Sequence, residues 1–277
     1  MQGVLENVRR EVACGSGAVV LERIAGKTAV SRVRAASPLR ILTPANSGKA
    51  AWVFTSTFGG GLVAGDQIAL EVGVGAGAMG FVGTQSATKV YRGADAAVSQ
   101  QTASVRVAGE GLLVWAPDPV VCFAGARYAQ RQRFDVAASG GLILVDAFTS
   151  GRHACGERWQ ARELRSSNEL FVEGECLLRD VMLLEGAGFG MEAFNCFATI
   201  ILAGQRLAGH AAELLAWTAA QPVSRGDRLP IGASPLRQGG AIFRAAGPDA
   251  QTVMRLIFDR LQFVEELLGE CPWRRKW

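Results

Sequence analysis

Between residues 17 and 197 the chain is written as short apolar runs divided by glycine, proline and Asn/Asp/Ser clusters, and that punctuation limits it to a fold of many short strands. GAVVLERI (17–24), AWVFT (51–55), IALEVGV (68–74) and LLVW (112–115) are examples. Alternation in QTASVRV (101–107) predicts a half-buried strand, whereas GLILVDAF (141–148) predicts one covered on both faces. The expected fold class is mainly β, a layered or coiled arrangement of strands with few helices. At 277 residues and 49% hydrophobic content the chain can bury a sizeable core. We find no repeat of fixed period and no obvious linker, so a single domain over 1–277 is expected, β-rich over about 17–200 and helical over about 205–270.

Two segments break the β texture. LAGHAAELLAWTAA (207–220) is rich in alanine and leucine and closes at Gln221-Pro222, a helix stop. In 249–269, Val253, Ile257, Leu261, Val264 and Leu268 line one face of a helix, which we expect to run unbroken. Pro248 and Asp249 supply its start chemistry. Between the two helices, residues 224–240 are polar and glycine-rich with Pro230 and Pro235, and read as a loop.

The opening MQGVLENVRREV has the form of neither a signal nor a transit peptide, and no stretch approaches the roughly 20 apolar residues of a spanning helix. A soluble, cytoplasmic protein with no membrane partner is expected. Six widely spaced cysteines with no Cys-x-x-Cys pair predict reduced, mostly buried thiols. The net charge of +4 gathers partly in the terminal WRRKW, a solvated end that argues for no nucleic-acid partner.

Residues 75–80, GAGAMG, fit the G-x-G-x-x-G dinucleotide fingerprint letter for letter. A phosphate-binding turn must open a helix, and the FVGTQSATKVY that follows is strand-like. Asp95 stands where a ribose-binding acid would, yet in a turn-like context. GGGLVAGD (59–66) lacks the Gly-Lys-Ser/Thr of a phosphate-binding loop, and no Gly-x-Ser-x-Gly elbow is present. A cysteine-dependent hydrolase using Cys155 and His153 is one alternative, and a β-rich interaction module is another. As metal ligands, His153 and Cys155 fall short of the four that a closed site needs. Asp146, set inside GLILVDAF, needs a partner or a purpose, because an unpaired carboxylate there costs several kcal/mol. Lys89, Arg127 and Arg152 are candidates to pair with it, and a polar channel lined by Asp66 and Asp146 is the other reading.

GGGLVAGD, a valine-rich strand, GAGA (75–78) and TQSATKVYR (84–92), in that order and spacing, resemble the signature of the urease accessory protein family UreD, also called UreH. The likeness continues through LVWAPDPVVCFAGAR (113–127), LILVD (142–146) and TSGR (149–152), with Glu157 at the expected spacing. The matching motif positions are Gly60, Gly61, Gly65, Thr84, Lys89, Tyr91, Arg92, Gly151 and Arg152. Thr57-Phe58-Gly59 stands where the family commonly has His-Pro-Pro, and Ala64 replaces a frequent glycine.

The resemblance implies a β-helix-like stack of many short strands with two helices near the C-terminus. It implies a scaffold rather than an enzyme, one that binds apo-urease with the partners UreF and UreG while nickel is delivered with GTP hydrolysis by UreG. It further implies no tightly bound cofactor, Ni²⁺ in transit through an internal water-filled tunnel, and Asp66, Asp146 and Asp180 as the acidic positions along that path. Weak, exchangeable oxygen ligands suit a conduit, because a His/Cys cage would retain an ion as strongly bound as Ni²⁺.

Overall fold

The computed structural model describes residues 14–45, 47–93, 97–185 and 191–275. Asp95, the opening MQGVLENVRREV, Lys276 and Trp277 lie outside them.

The chain opens on the antiparallel pair β1 (Ser16–Ile24) and β2 (Lys27–Ala35), and β3 (Leu39–Leu42) then pairs with β4 (Ala51–Thr57). From β4 it winds as a coil between two sheets, placing successive strands in alternate layers. It crosses to β5 (Gln67–Val74), returns to β6 (Met79–Thr84) and β7 (Thr88–Val90), and crosses again to β8 (Ser99–Val107). The winding repeats through β9 (Leu112–Trp115), β10 (Val120–Cys122), β11 (Arg127–Val136), β12 (Gly141–Thr149) and β13 (Glu163–Val172). Neighbours laid down on successive turns are parallel: β5, β8, β11 and β13 in one sheet, β4, β6, β9 and β12 in the other. Parallel neighbours require a crossover connection. Here the crossover is a strand of the opposite sheet rather than a helix.

Antiparallel strands close the coil. β14 (Glu175–Glu185) forms the edge of a seven-stranded sheet ordered β14-β13-β11-β8-β5-β1-β2. β15 (Cys196–Ala203) pairs with β12; α1 (Ala208–Ala219) and the hairpin of β16 (Ile231–Pro235) and β17 (Ala241–Gly247) follow, then α2 (Ala250–Arg260) and α3 (Val264–Leu268). These complete a ten-stranded sheet ordered β16-β17-β15-β12-β9-β6-β4-β3, with β7 and β10 alongside. The mainly β, coiled architecture expected from the sequence is therefore the one observed. No helix among the described residues is long and apolar enough to cross a membrane.

The glycine-rich GAGAMG segment is part of the winding. Three turns, after β5, β8 and β11, each close with an N–H to the carbonyl three residues back: Ala78 to Gly75 (3.0 Å), Gly111 to Ala108 (3.0 Å) and Gly140 to Ala137 (2.8 Å). They stack on one another, with Gly77 N–H bonded to Gly109 O at 3.0 Å and Gly141 N–H to Gly111 O at 2.8 Å. Gly77 has φ +63°, which is why glycine occupies the tightest point of the first turn.

Burial follows the layering. The seven-stranded sheet buries one face, so β5 and β8 alternate buried and exposed positions. At its centre the ten-stranded sheet is covered on both faces: all of β9, and all of β12 but its last residue, is buried. Leu142, Leu144 and Phe148 face the core between the sheets; Ile143, Val145 and Ala147 face the core under the helices. Period-two alternation therefore puts Asp146 on the inter-sheet side.

Three expectations need correction. The helix expected over 249–269 is two helices, broken at residues 261–263. Leu261 (φ −110°, ψ 18°) bonds back only three residues, to Phe258 O, and Val264 does the same to Leu261 O. The break leaves Leu261 and Val264 both fully buried and lays the Phe263 ring on His210 at 3.8 Å. Second, the loop expected over 224–240 contains the strand β16, which tolerates Pro235 because it is an edge strand. Third, the thiols are not mostly buried: Cys122 and Cys196 are, but Cys14, Cys155 and Cys176 are exposed and Cys271 is half-buried.

Candidate functional site

Between the sheets an otherwise apolar core contains one polar layer, built by the same parity that builds the core. In β11 the inward residues are Tyr128, Gln130, Gln132 and Phe134, and in β13 they are Leu164, Ser166, Asn168 and Leu170. In-register parallel pairing sets Gln130 beside Ser166 and Gln132 beside Asn168. The large apolar residues at both ends seal the layer, and the polar pairs in the middle face Asp146 across the gap.

Asp146 is 4% exposed, and its carboxylate is held by three neutral donors. Oδ1 accepts from Gln130 Nε2 at 3.0 Å; Oδ2 accepts from Asn168 Nδ2 at 2.8 Å and Ser166 Oγ at 3.2 Å. A second set of contacts fixes which end of each amide points inward. Gln132 Nε2 donates to Asn168 Oδ1 at 2.8 Å, and the Tyr128 hydroxyl stands 3.0 Å from the Oε1 atoms of both Gln130 and Gln101. No cation among the described residues pairs with Asp146: Arg127 pairs with Glu163 and Arg152 with Glu157, and Lys89 is exposed. The ion pair considered for Asp146 is thus replaced by a carboxamide and hydroxyl cage. Burial pushes the Asp146 carboxyl above its ordinary range, against the lowering effect of its three donors, and the charge of Asp180 adds to the rise. Burial also holds the Tyr128 hydroxyl well above its usual value, so it stays a donor.

Two cavities with shared walls lie beside this layer. The inner one, about 20 Å³, is bordered by Asp146, Gln130, Gln132 and Trp115 among others. The outer one, about 40 Å³, is lined by Gly61 and by the exposed Gly60 and Ser86, which mark its mouth. Thr55, Thr84, Thr88 and Gln101 line both. Trp115 Nε1 is buried on the inner wall with no protein partner among the described residues.

The structure distributes the three acidic candidates unevenly. Asp180 stands opposite Asn168 in the β13/β14 pairing and bonds Arg244 Nη2 of β17 at 2.7 Å, bridging the two sheets at the rim beyond Asp146. Asp66 borders neither cavity; it caps its own turn, accepting from Val63 N–H at 2.9 Å. Of the motif positions, Thr84 lines both cavities and accepts the Asp118 N–H at 2.8 Å, and Gly61 packs against Lys89 and Tyr91. His153 and Cys155 lie together in one exposed 3-10 turn, and neither lines either cavity. No group of three or more His, Cys, Asp or Glu capable of holding a metal occurs among the described residues.

The residues that sequence reading missed are Gln101, Tyr128, Gln130, Gln132, Ser166 and Asn168. For Gln130 and Gln132 the signal was parity with Tyr128 and Phe134, for Ser166 and Asn168 parity with Leu164 and Leu170, and for Gln101 parity with Ala103 and Val105 on β8.

Residues 13–277 match the family model described as UreD urease accessory protein. The chain is 43% identical to the urease accessory protein UreD of Sorangium cellulosum, over 97% of this chain and 86% of that one. It is 40% identical to the UreD of an Anaeromyxobacter species (94% and 89%) and 33% identical to the urease accessory protein D of Oryza sativa subsp. indica (94% and 96%).

Proposed function

The chain belongs to the UreD family of urease accessory proteins, and from that premise we propose that it is a non-catalytic scaffold that binds apo-urease with UreF and UreG and passes Ni²⁺ as cargo along its inter-sheet polar layer. The observation that carries this reading is Asp146: a buried carboxylate in a neutral cage, bordering a cavity connected by shared walls to the glycine-rich mouth. A single carboxylate lowers the cost of a dication in the interior, while amide, hydroxyl and water oxygens bind too weakly to hold it. Asp180 continues the path beyond Asn168, whereas Asp66, turned onto Val63 N–H and bordering neither cavity, is left outside it. The free cysteines fit a reducing, cytoplasmic setting.

The test is reconstituted activation of apo-urease with nickel, UreF and UreG. Asp146→Ala should still co-purify with UreF while activating urease more slowly. Activation at the wild-type rate would remove Asp146 from the path.

A further inference from the structure

Outside the polar layer, segments far apart in sequence converge on one face beside the mouth. A Cβ at Gly61 would lie 2.6 Å from Tyr91 Cε2, so the glycine loop and Tyr91 are in close contact. Tyr91 meets Phe123 edge to face, with centroids 5.0 Å apart. The Arg152 guanidinium lies over Phe123 at 4.4 Å, and Glu157 holds it through Nε at 3.0 Å while also accepting the Ala124 N–H at 3.2 Å. On the near side of the glycine loop, Arg40 stacks over Phe58 at 4.9 Å. Phe58 and Val63 are each 56% exposed. Arg40, Lys89, Arg92 and Arg152 are exposed cations on this face, and among the described residues only Arg152 is ion-paired.

We propose that this face is a docking surface for an acidic protein partner, one that offers carboxylates around an apolar recess for Phe58 and Val63. The proposal rests on the scaffold reading above and deepens it: Gly60 and Gly61 border the outer cavity, so a partner seated here covers the mouth. Aromatic and arginine side chains dominate binding energy at protein interfaces, and arginines already stacked on rings lose little freedom when bound. Unpaired surface cations favour a carboxylate-bearing partner and make the encounter salt-sensitive.

Purified full-length chain is titrated by calorimetry into apo-urease and, separately, into UreF, at about 50 and about 300 mM salt, where screening lengths differ. The variants are Lys89→Glu, at a cation with no ion-pair partner among the described residues, combined with Arg92→Glu, whose charge also acts on Glu157, and Arg152→Lys, which keeps the charge but loses the ring stacking and the Nε contact to Glu157. Circular dichroism checks that both fold. The double reversal should weaken one of the two partners about tenfold or more at low salt and less at high salt, leaving the other unchanged. Arg152→Lys should weaken the same partner by less. Unchanged affinity for both partners overturns the docking surface and leaves the scaffold reading standing. Wild-type chain that binds neither partner overturns both. Binding to a duplex DNA control that the reversal abolishes, with protein affinities unaffected, assigns the face to nucleic acid and overturns it too.

Discussion

Asn168 Nδ2 reaches across from the seven-stranded sheet to donate to Asp146 Oδ2 at 2.8 Å, so the acid that interrupts β12 is held by an amide of the opposite sheet. The contact ties the two layers at the one height where the core is polar. It also makes the protonation of Asp146 a property of the folded state rather than of the residue.

That property sets a pH dependence. In the unfolded chain Asp146 ionises in the ordinary carboxylate range; in the folded chain desolvation, aided by the charge of Asp180, keeps its proton to higher pH. Its contribution to stability is complete below the ordinary range and is lost as pH rises through the raised folded value. Asp146→Asn carries no such penalty. The melting temperature of the variant relative to wild type should therefore climb as pH rises from about 3 towards neutrality. Parallel thermal melts at each pH check this, and a constant difference would show that burial does not govern the group.

Gly61→Ala should destabilise the protein by about 1–3 kcal/mol through overpacking. The added Cβ would sit 2.6 Å from Lys89 O and from Tyr91 Cε2, and the carbonyl belongs to the backbone that pairs β7 with the glycine loop. Urea unfolding measures the loss. A change within about 0.5 kcal/mol, the range of an ordinary surface substitution, would mean that the loop moves freely past Tyr91.

Asp249 caps α2: its Oδ1 accepts from the Thr252 backbone N–H at 2.7 Å and its Oδ2 from the Thr252 hydroxyl at 2.9 Å. Asp249→Ala should cost about 1 kcal/mol at neutral pH. The Thr252 backbone N–H, then its hydroxyl, hold the carboxyl below its ordinary value. The contribution is therefore present above the ordinary range and disappears as pH falls through the lowered folded value. Wild type and variant should converge in strong acid, as read from melts over the same pH series.

The thiols should divide by burial. Cys122 and Cys196 are pushed up to about 12 by desolvation and should resist alkylation in the native protein at mildly alkaline pH. The exposed Cys14, Cys155 and Cys176 should react, as mass spectrometry of peptides would show. Cys155→Ser should leave urease activation unchanged, and an activation loss confined to this variant would revive a thiol-based chemistry.

How much of this was legible depended on whether parity or distance carried the information. β12 could be read as doubly covered because its apolar residues run without a break, and Asp146 stood out against them. Gln130, Gln132, Ser166 and Asn168 did not stand out. Their strands alternate polar residues with other polar residues, so inward and outward faces read alike until Tyr128, Phe134, Leu164 and Leu170 are used to fix the inward parity. Asp66 drew attention for its place beside a glycine motif, yet its carboxylate is spent three residues away on Val63 N–H, a local contact that composition cannot separate from a binding role. The break between α2 and α3 was hidden because Leu261 and Val264 satisfy helical spacing on either side of it.

The stacked turns at the ends of β5, β8 and β11 carry a consequence for how such a chain can change over generations. Each turn fixes where the next strand begins, and side chains alternate strictly from that point. One residue gained or lost between a turn and the polar layer would swing Gln130 or Asn168 out to solvent and bring an arginine or a glutamate inward. Sequence at most outward positions is free to drift, but the spacing of these strands is not, so the lengths between turns are inherited as firmly as any side chain.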